Sequence, residues 1–369
     1  MVKFQSLLDE LSLYEAGKPI ELVVRDYGLT PDQIVKLASN ENPHGTSPRV
    51  VEKIASYAPM MYRYPDDSFY ELKEGLAAHY GVATQQVIIG AGSDQVLEFA
   101  TRARLGAGDK VLMNSITFAM YEIYAKQCGA TIIRTNSRHH DLTQFRGLVQ
   151  EHNPSMIFLC VPNNPTGDCL DKDEVYTFLD ELDPSTFVVV DGAYMEYAAF
   201  KDPAKAIEPA DLVSRYPNVL YLGTFSKAYG LGGMRVGYGI ATVDVIGSLG
   251  KLRPPFNITN LSLAAAIEAL KDQDFVRMSI ADCFDQMKRY EDFADQQGLS
   301  YIESYTNFIT LLCPETIVSK NLAQKLLEQG VIVRDMTGYG LNAIRVTIGT
   351  AQQNDRFFEV ITPLLHKVG

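Results

Sequence analysis

A lysine at position 227 has the surroundings that amine chemistry requires. Lys227 follows an apolar run at 218–222, which reads as a buried strand, and its loop is rich in hydroxyls and glycines up to Arg235. Loops at strand ends are where α/β sheets place their chemistry. A lysine becomes a nucleophilic amine if its surroundings lower its pKa, and an arginine offers a planar fork for phosphate or carboxylate. These residues alone also fit a surface lysine beside an ordinary glycine turn, because short motifs recur by chance.

Other polar residues follow neighbouring predicted strands. Asn164 comes after the strand at 156–160, and both Asp191 and Tyr194 come at the end of the next one. In a parallel sheet the carboxyl ends of the strands lie on one edge, so these side chains and Lys227 can converge on one crevice. Taken singly, each has a plainer reading as a turn, a helix cap or a core tyrosine.

A glycine turn precedes this block. Residues 86–90 read as a strand, and Gly92, Ser93 and Asp94 lead from it into a helix. Backbone N–H groups and the positive end of the helix dipole make such a turn a phosphate site. The signal is weak alone, because every strand-to-helix unit needs a turn.

The chain around these residues predicts an α/β fold with two domains. Nearly continuous apolar strands alternate with helical patterns, which favours a mostly parallel sheet flanked by helices. The alternation stops near two prolines at 254–255, and short strands with helices then predict a smaller α+β domain that carries Arg334 and Arg345. We therefore expect an arm and the start of the small domain at 1–45, a large domain at 46–255 and a small domain at 256–369.

Composition narrows the class of function. The net charge of −12 over 369 residues argues against nucleic acid and anionic membranes as partners, so an anionic substrate needs a local arginine cluster. No apolar run is long enough to span a membrane, and the first residues lack the apolar core of a signal peptide. The five cysteines are scattered, which is typical of reduced thiols in the cytoplasm, and the histidines show no zinc spacing, so no metal is predicted.

The order of these motifs resembles that of the fold-type I pyridoxal-phosphate-dependent aminotransferases. The resemblance covers nearly the whole chain and implies a homodimeric enzyme with pyridoxal 5′-phosphate as its cofactor. The motifs that carry it are Ala-Gly-Ser-Asp at 91–94, Pro-Asn-Asn-Pro-Thr-Gly at 162–167, Asp-x-Ala-Tyr at 191–194, Ser-Lys at 226–227 and Gly-x-Arg-x-Gly at 233–237.

The resemblance implies a role for each motif residue. Lys227 would hold the cofactor covalently and move the substrate proton, and Asp191 would pair with the ring nitrogen. Tyr194 and Asn164 would hydrogen-bond the ring's 3-oxygen, and Phe118 would stack on the ring. The cofactor phosphate would be held by the backbone amides of Gly92, Ser93 and Asp94 and by Thr224, Ser226 and Arg235, together with Tyr64 from the neighbouring subunit.

Further motifs are similar to those of the histidinol-phosphate aminotransferases within that family. They are Tyr-Glu-x-Gly-Lys at 14–18, Leu-Ala-Ser-Asn-Glu-Asn-Pro at 37–43, Tyr-Pro-Asp at 64–66, Thr-Asn-Phe at 306–308 and Ile-Arg-Val-Thr-Ile-Gly-Thr at 344–350. This similarity implies histidinol phosphate and glutamate or 2-oxoglutarate as substrates, with Arg345 on the substrate carboxylate. Tyr14 and Arg334 would address the substrate phosphate.

Other functions on the same scaffold stay open at this point. The arginines and Tyr14 also fit an aromatic-amino-acid aminotransferase or a phosphothreonine decarboxylase. The sensor half of a transcription regulator would need an attached DNA-binding unit, which the acidic charge disfavours. The chain departs from the family pattern at Gly192, where an acidic residue is frequent, and at Ile116, where a proline is frequent.

Overall fold

The computed structural model describes residues 25–366, together with Val2, Leu8, Asp9 and Leu11. Tyr14 lies outside the described residues. The strands are β1 (Val35–Lys36), β2 (Val87–Gly90), β3 (Lys110–Met113), β4 (Thr131–Arg134), β5 (Met156–Cys160), β6 (Phe187–Asp191), β7 (Val219–Thr224), β8 (Gly237–Ile240), β9 (Ser300–Ile302), β10 (Phe308–Leu312), β11 (Val331–Ile332), β12 (Arg334–Asp335) and β13 (Ala343–Thr347). The α-helices are α1 (Pro48–Tyr57), α2 (Tyr70–Tyr80), α3 (Ser93–Arg104), α4 (Ala119–Gln127), α5 (Leu142–His152), α6 (Lys172–Asp180), α7 (Met195–Lys201), α8 (Pro209–Arg215), α9 (Val243–Gly250), α10 (Asn260–Lys271), α11 (Gln273–Gln297), α12 (Ser319–Glu328) and α13 (Ala351–His366).

A seven-stranded sheet forms the larger part of the structure, in the order β2-β8-β7-β6-β5-β3-β4. The pairs from β7 to β4 are parallel, and β8 is antiparallel to both of its neighbours. Successive residues of one strand enter different cores, as Ile157 and Phe158 of β5 do, so apolar groups cover both faces of the sheet. This confirms the predicted mostly parallel α/β fold, and it explains why these strands are apolar throughout.

Strand β8 was not predicted, because glycines at alternate positions weaken the strand signal. The structure gives the reason for one of them. A Cβ atom on Gly237 would collide with the backbone of Ser93 at the start of α3. Gly237 therefore lets the N-terminus of α3 lie directly against the sheet, which places that helix end at the edge where the site forms.

The smaller sheet is antiparallel, in the order β12-β13-β10-β9. The single strand predicted at 331–334 is two short strands: β11 pairs with β1 in a separate two-stranded parallel sheet, and β12 pairs with β13. The chain thus leaves one sheet for another at Val333. The boundaries of the two domains stay a prediction. No helix in the described ranges is long and apolar enough to cross a membrane.

The structure buries the carboxylate of Glu196. Burial raises the pKa of Glu196, on α7, to about 7, and its Oε2 atom finds no hydrogen-bond partner among the described residues. The folded state therefore binds a proton more tightly than the unfolded chain does. This contribution to stability is present at low pH and is lost as the pH rises from about 4.5 to above 7.

Glu196→Gln removes this ionisation. Relative to the parent, we expect the free energy of unfolding of the variant to rise between pH 5 and pH 8 by roughly 2–3 kcal/mol. Urea unfolding at several pH values measures the difference. Glu315→Gln, at an exposed position, is the matched control and should show no such trend. If the difference in free energy of unfolding between Glu196→Gln and the parent did not change with pH, Glu196 would not have a raised pKa.

Candidate active site

A cavity of about 140 Å³ lies where β5, β6 and β7 end and where α3 begins. Every residue predicted to hold the cofactor lines it, except Tyr64. Two further lining residues, Cys160 and Ala193, were not predicted. The lining residues are Gly92, Ser93, Asp94, Phe118, Cys160, Asn164, Asp191, Ala193, Tyr194, Thr224, Ser226, Lys227 and Arg235.

One end of the cavity is built for an anion. The guanidinium of Arg235 donates to the hydroxyl of Ser226 (3.2 Å), and the backbone N–H of Ser226 donates to the hydroxyl of Thr224 (3.1 Å). Gly92 precedes α3 with φ +79°, and a Cβ atom there would lie 2.6 Å from the guanidinium of Arg235. Glycine is therefore required at 92. A helix N-terminus, hydroxyls and an arginine together form a site for a phosphate group.

Asp94 lies in the first turn of α3, beside this anion site. Its Oδ2 atom accepts from the Tyr124 hydroxyl at 2.8 Å, and its Oδ1 atom is buried without a hydrogen-bond partner in the described part of the chain. Burial raises the pKa of this carboxyl group. A buried acceptor that lines the cavity calls for a donor from a bound group.

Asp191, at the end of β6 and 6% exposed, also lines the cavity. Its Oδ2 atom accepts from the Tyr121 hydroxyl at 2.7 Å, and its Oδ1 atom accepts from the backbone N–H of Ala193 at 3.1 Å. Burial raises the pKa of Asp191, and these two hydrogen bonds oppose the rise. A buried carboxylate held by two donors suits a cationic partner such as a protonated ring nitrogen.

Tyr121 was missed by the sequence analysis. It lies on α4, three positions after Phe118, and the two rings meet edge to face with centroids 5.6 Å apart. Residues three apart share one face of a helix, so this spacing was the available signal.

Lys227 faces the middle of the cavity. Its Nζ atom donates to the carbonyl of Ser39 at 3.3 Å and lies 5.8 Å from the centre of the Tyr194 ring. Burial, followed by the charge of Arg345, lowers the pKa of Lys227 to about 8. A substantial fraction of this amine is therefore neutral near physiological pH, as a nucleophile and proton carrier requires.

Two arginines of the small sheet are paired across strands, and one of them, Arg345, contacts a residue that lines the cavity. Arg345 is 8% exposed, and its guanidinium donates to Asn164 Oδ1 at 2.6 Å and to the carbonyl of Ala38 at 2.9 Å. Arg334 is its direct cross-strand neighbour. Side chains of directly opposed residues leave the same face of a sheet. The pair therefore concentrates positive charge on one face.

Tyr64 is 80% exposed, and its ring centre lies 4.7 Å from that of Phe256. It does not line the cavity of its own chain. Its predicted role on the cofactor of a neighbouring subunit stays a prediction.

One of the two departures from the family pattern has a structural reason. The Tyr221 hydroxyl fills the space that a side chain at Gly192 would need. The carbonyl of Ile116 accepts from the side-chain amides of Asn114 (3.0 Å) and Asn163 (2.9 Å), contacts that a proline could also make, so nothing in the structure explains the isoleucine. Within the described residues, no group of three or more His, Cys, Asp or Glu side chains could hold a metal ion.

This chain belongs to the aminotransferase class I and II family, whose model matches residues 32–361. The histidinol-phosphate aminotransferase of Wolinella succinogenes is 56% identical over 366 residues, covering 99% of this chain and 100% of the relative. That of Aliarcobacter butzleri is 57% identical over 367 residues and covers both chains fully. The crystal structure of histidinol-phosphate aminotransferase from Sinorhizobium meliloti, in complex with pyridoxal-5′-phosphate, matches with a TM-score of 0.91 at 25% identity, over 100% of this chain and 99% of that one.

Proposed function

We propose that this protein is a histidinol-phosphate aminotransferase of histidine biosynthesis, which uses pyridoxal 5′-phosphate to exchange an amino group between histidinol phosphate and 2-oxoglutarate. The observation that carries the proposal is the meeting of Lys227, Asp191 and the Arg235 anion site in one cavity. The names and full-length identities of the relatives support the substrate, and they favour it over an aromatic amino acid or phosphothreonine.

The cavity residues fit the cofactor. The anion site at Gly92, Ser226 and Arg235 matches its phosphate, and the buried Asp191 carboxylate matches its ring nitrogen. Phe118 also lines the cavity, where it can cover the ring. When bound, pyridoxal phosphate supplies a conjugated ring that accepts the electrons left behind as the substrate carbon loses its proton.

The other polar groups of the cavity orient the cofactor ring or transfer the substrate proton. Lys227, with its lowered pKa, would take the proton from the substrate carbon and deliver it to the cofactor carbon on the other side of the transferred nitrogen. Asp191 holds positive charge at the ring nitrogen. Tyr194 and Asn164 line the cavity on the side of Arg345 and address the ring oxygen.

The paired arginines explain how one site accepts two substrates. Histidinol phosphate carries a phosphate but no carboxylate, whereas glutamate carries two carboxylates. A guanidinium forms bidentate pairs with either anion, so Arg345 and Arg334 can serve both half-reactions. Tyr14 is proposed as a further phosphate contact on sequence grounds alone.

A panel of amino donors tests the function. We expect kcat/KM of the holoenzyme to be highest for histidinol phosphate, far lower for histidinol, and low for phenylalanine and phosphothreonine. Losing one charge-assisted hydrogen bond costs about 1.5–3 kcal/mol, so Arg345→Ala should lower kcat/KM roughly 10- to 100-fold for both histidinol phosphate and glutamate.

Arg49→Ala is the matched control, because Arg49 pairs on the surface with Glu268. A preference for phenylalanine would make the protein an aromatic aminotransferase. Release of carbon dioxide from phosphothreonine would make it a decarboxylase.

We also propose that the active unit is a homodimer in the cytoplasm. Large apolar side chains are exposed near Tyr64, among them Met61, Tyr62, Tyr70 and Phe256, and such a cluster marks an interaction surface. All five cysteines are free thiols, which suits a reducing compartment.

Mixing an inactive variant with an impaired one tests the dimer. Lys227→Ala and Tyr64→Ala should each be impaired, and their heterodimer should regain activity, because one of its sites has an intact Lys227 and an intact partner tyrosine. Mixing Lys227→Ala with Asp191→Asn is the matched control and should restore nothing, since both residues belong to one chain's site. Fully active monomers in sedimentation would rule out a shared site.

A further inference from the structure

The segment at 39–46 runs along the lysine loop. The carbonyl of Ser39 accepts from Lys227 (3.3 Å), the side-chain amide of Asn42 donates to the carbonyl of Ala228 (3.1 Å), and the hydroxyl of Thr46 donates to the carbonyl of Gly230 (2.8 Å). These contacts hold the loop, whereas the side chain of Asn40, in the same segment, is directed elsewhere.

Asn40 joins the small sheet to the cavity wall. It is 2% exposed, with φ +56°. Its backbone N–H donates to the hydroxyl of Thr347 at 2.9 Å, and its carbonyl accepts from the side-chain amide of Asn307 at 2.9 Å. Asparagine tolerates this left-handed backbone conformation better than most residues. Its backbone is thus fixed from both sides.

The hydroxyl of Thr347 decides which way the Asn40 amide points. This hydroxyl accepts the Asn40 N–H, and it donates its own proton to Asn40 Oδ1, 3.1 Å away. The Oδ1 atom is therefore the acceptor, and Nδ2 is the donor that lies 2.8 Å from the Tyr194 hydroxyl. The Tyr194 oxygen accepts from Asn40, so its phenolic proton must be directed to a different acceptor.

Resting on the proposed function, we propose that Asn40 is a positioning residue that sets the polarity of the Tyr194 hydroxyl, so that the phenol donates its proton to the cofactor's ring oxygen in the cavity. A carboxylate at position 40 would reverse this polarity, because it accepts from both Thr347 and Tyr194. The phenolic proton would then leave the cavity.

The test uses the visible absorbance of the bound cofactor, titrated with pH, in Asn40→Asp holoenzyme. A donor at the ring oxygen stabilises the deprotonated form, so its loss should move the titration midpoint upward by about one pH unit. The dissociation constant of the cofactor should rise by about tenfold, since a charge-assisted hydrogen bond is lost. The groups that act on Tyr194, namely Arg345, Cys160, Asp191 and Lys227, are the same in parent and variant.

Repeating Asn40→Asp in a Tyr194→Phe background separates the effect of the reversed Tyr194 hydroxyl from the effect of the added negative charge. The shift caused by Asn40→Asp should vanish there, because no hydroxyl remains to be turned. A shift of equal size in both backgrounds, or in neither, would overturn the proposal.

A second pair of variants covers the case in which Asn40→Asp does not fold. Thr347→Val removes the hydroxyl that orients the amide and should move the midpoint upward, whereas Thr347→Ser keeps it and should titrate like the parent. Coinciding titrations of the two would also overturn the proposal. If the parent itself binds no cofactor, the proposed function fails rather than this inference.

Discussion

Lys227→Ala is expected to lower turnover by about 10³-fold or more, because the nucleophile and the proton carrier disappear together. The structure supports this size of effect. The amine lies in the cavity with a pKa lowered to about 8, so it is available in its neutral form. Lys227→Arg should not rescue activity, since a guanidinium keeps its proton.

Borohydride treatment of the parent holoenzyme should fix the cofactor to the peptide that contains Lys227. The same treatment of Lys227→Ala should leave the peptides unlabelled. Lys201→Ala is the control, because Lys201 pairs with Glu303 on the surface. Label on any other lysine would disprove the assignment of the site.

Asp191→Asn is expected to preserve folding and to lower turnover by roughly 10²- to 10⁴-fold, the range typical of a lost proton-transfer function. A neutral amide cannot balance a protonated ring nitrogen in a buried site. The Oδ1 atom would keep the hydrogen bond from the backbone N–H of Ala193, so the start of α7 should stay intact.

This substitution separates chemistry from helix capping. Asparagine and aspartate are about equally good caps, so a residue that only caps a helix tolerates the exchange. Stopped-flow turnover and thermal unfolding of the same samples provide the comparison. Near-normal kcat with an unchanged Tm would mean that Asp191 has no part in the chemistry.

The sequence by itself determined the parallel strands of the large sheet and the residues at their carboxyl ends. Strand patterns around 156–160, 186–191 and 218–223 specify local structure, and parallel strands bring their carboxyl ends together whatever loops intervene. For that reason Asn164, Asp191 and Lys227 could be assigned to one crevice before any coordinates were known. These three residues group together because each follows a parallel strand, and the carboxyl ends of parallel strands share one edge of the sheet.

The contacts that orient these residues were decided by the tertiary structure. Asn40 and Tyr194 are 154 positions apart, and Tyr121 and Asp191 are 70 apart. Neither separation corresponds to a helical or strand repeat, so the sequence does not reveal that these residues are hydrogen-bond partners. The direction of each hydrogen bond also depends on what the third neighbour donates, as Thr347 shows for Asn40.

The same limit applies to the small sheet. The sequence placed Arg334 and Arg345 on short strands, but it could not show that they lie directly opposite each other. Strand register is set by packing and by the turns between strands, and a slip of one residue would turn one arginine to the other face. Residue types at strand ends therefore determined the chemistry that this protein can carry out, whereas register and long-range hydrogen bonds determined the geometry, because both arise only when distant segments pack together.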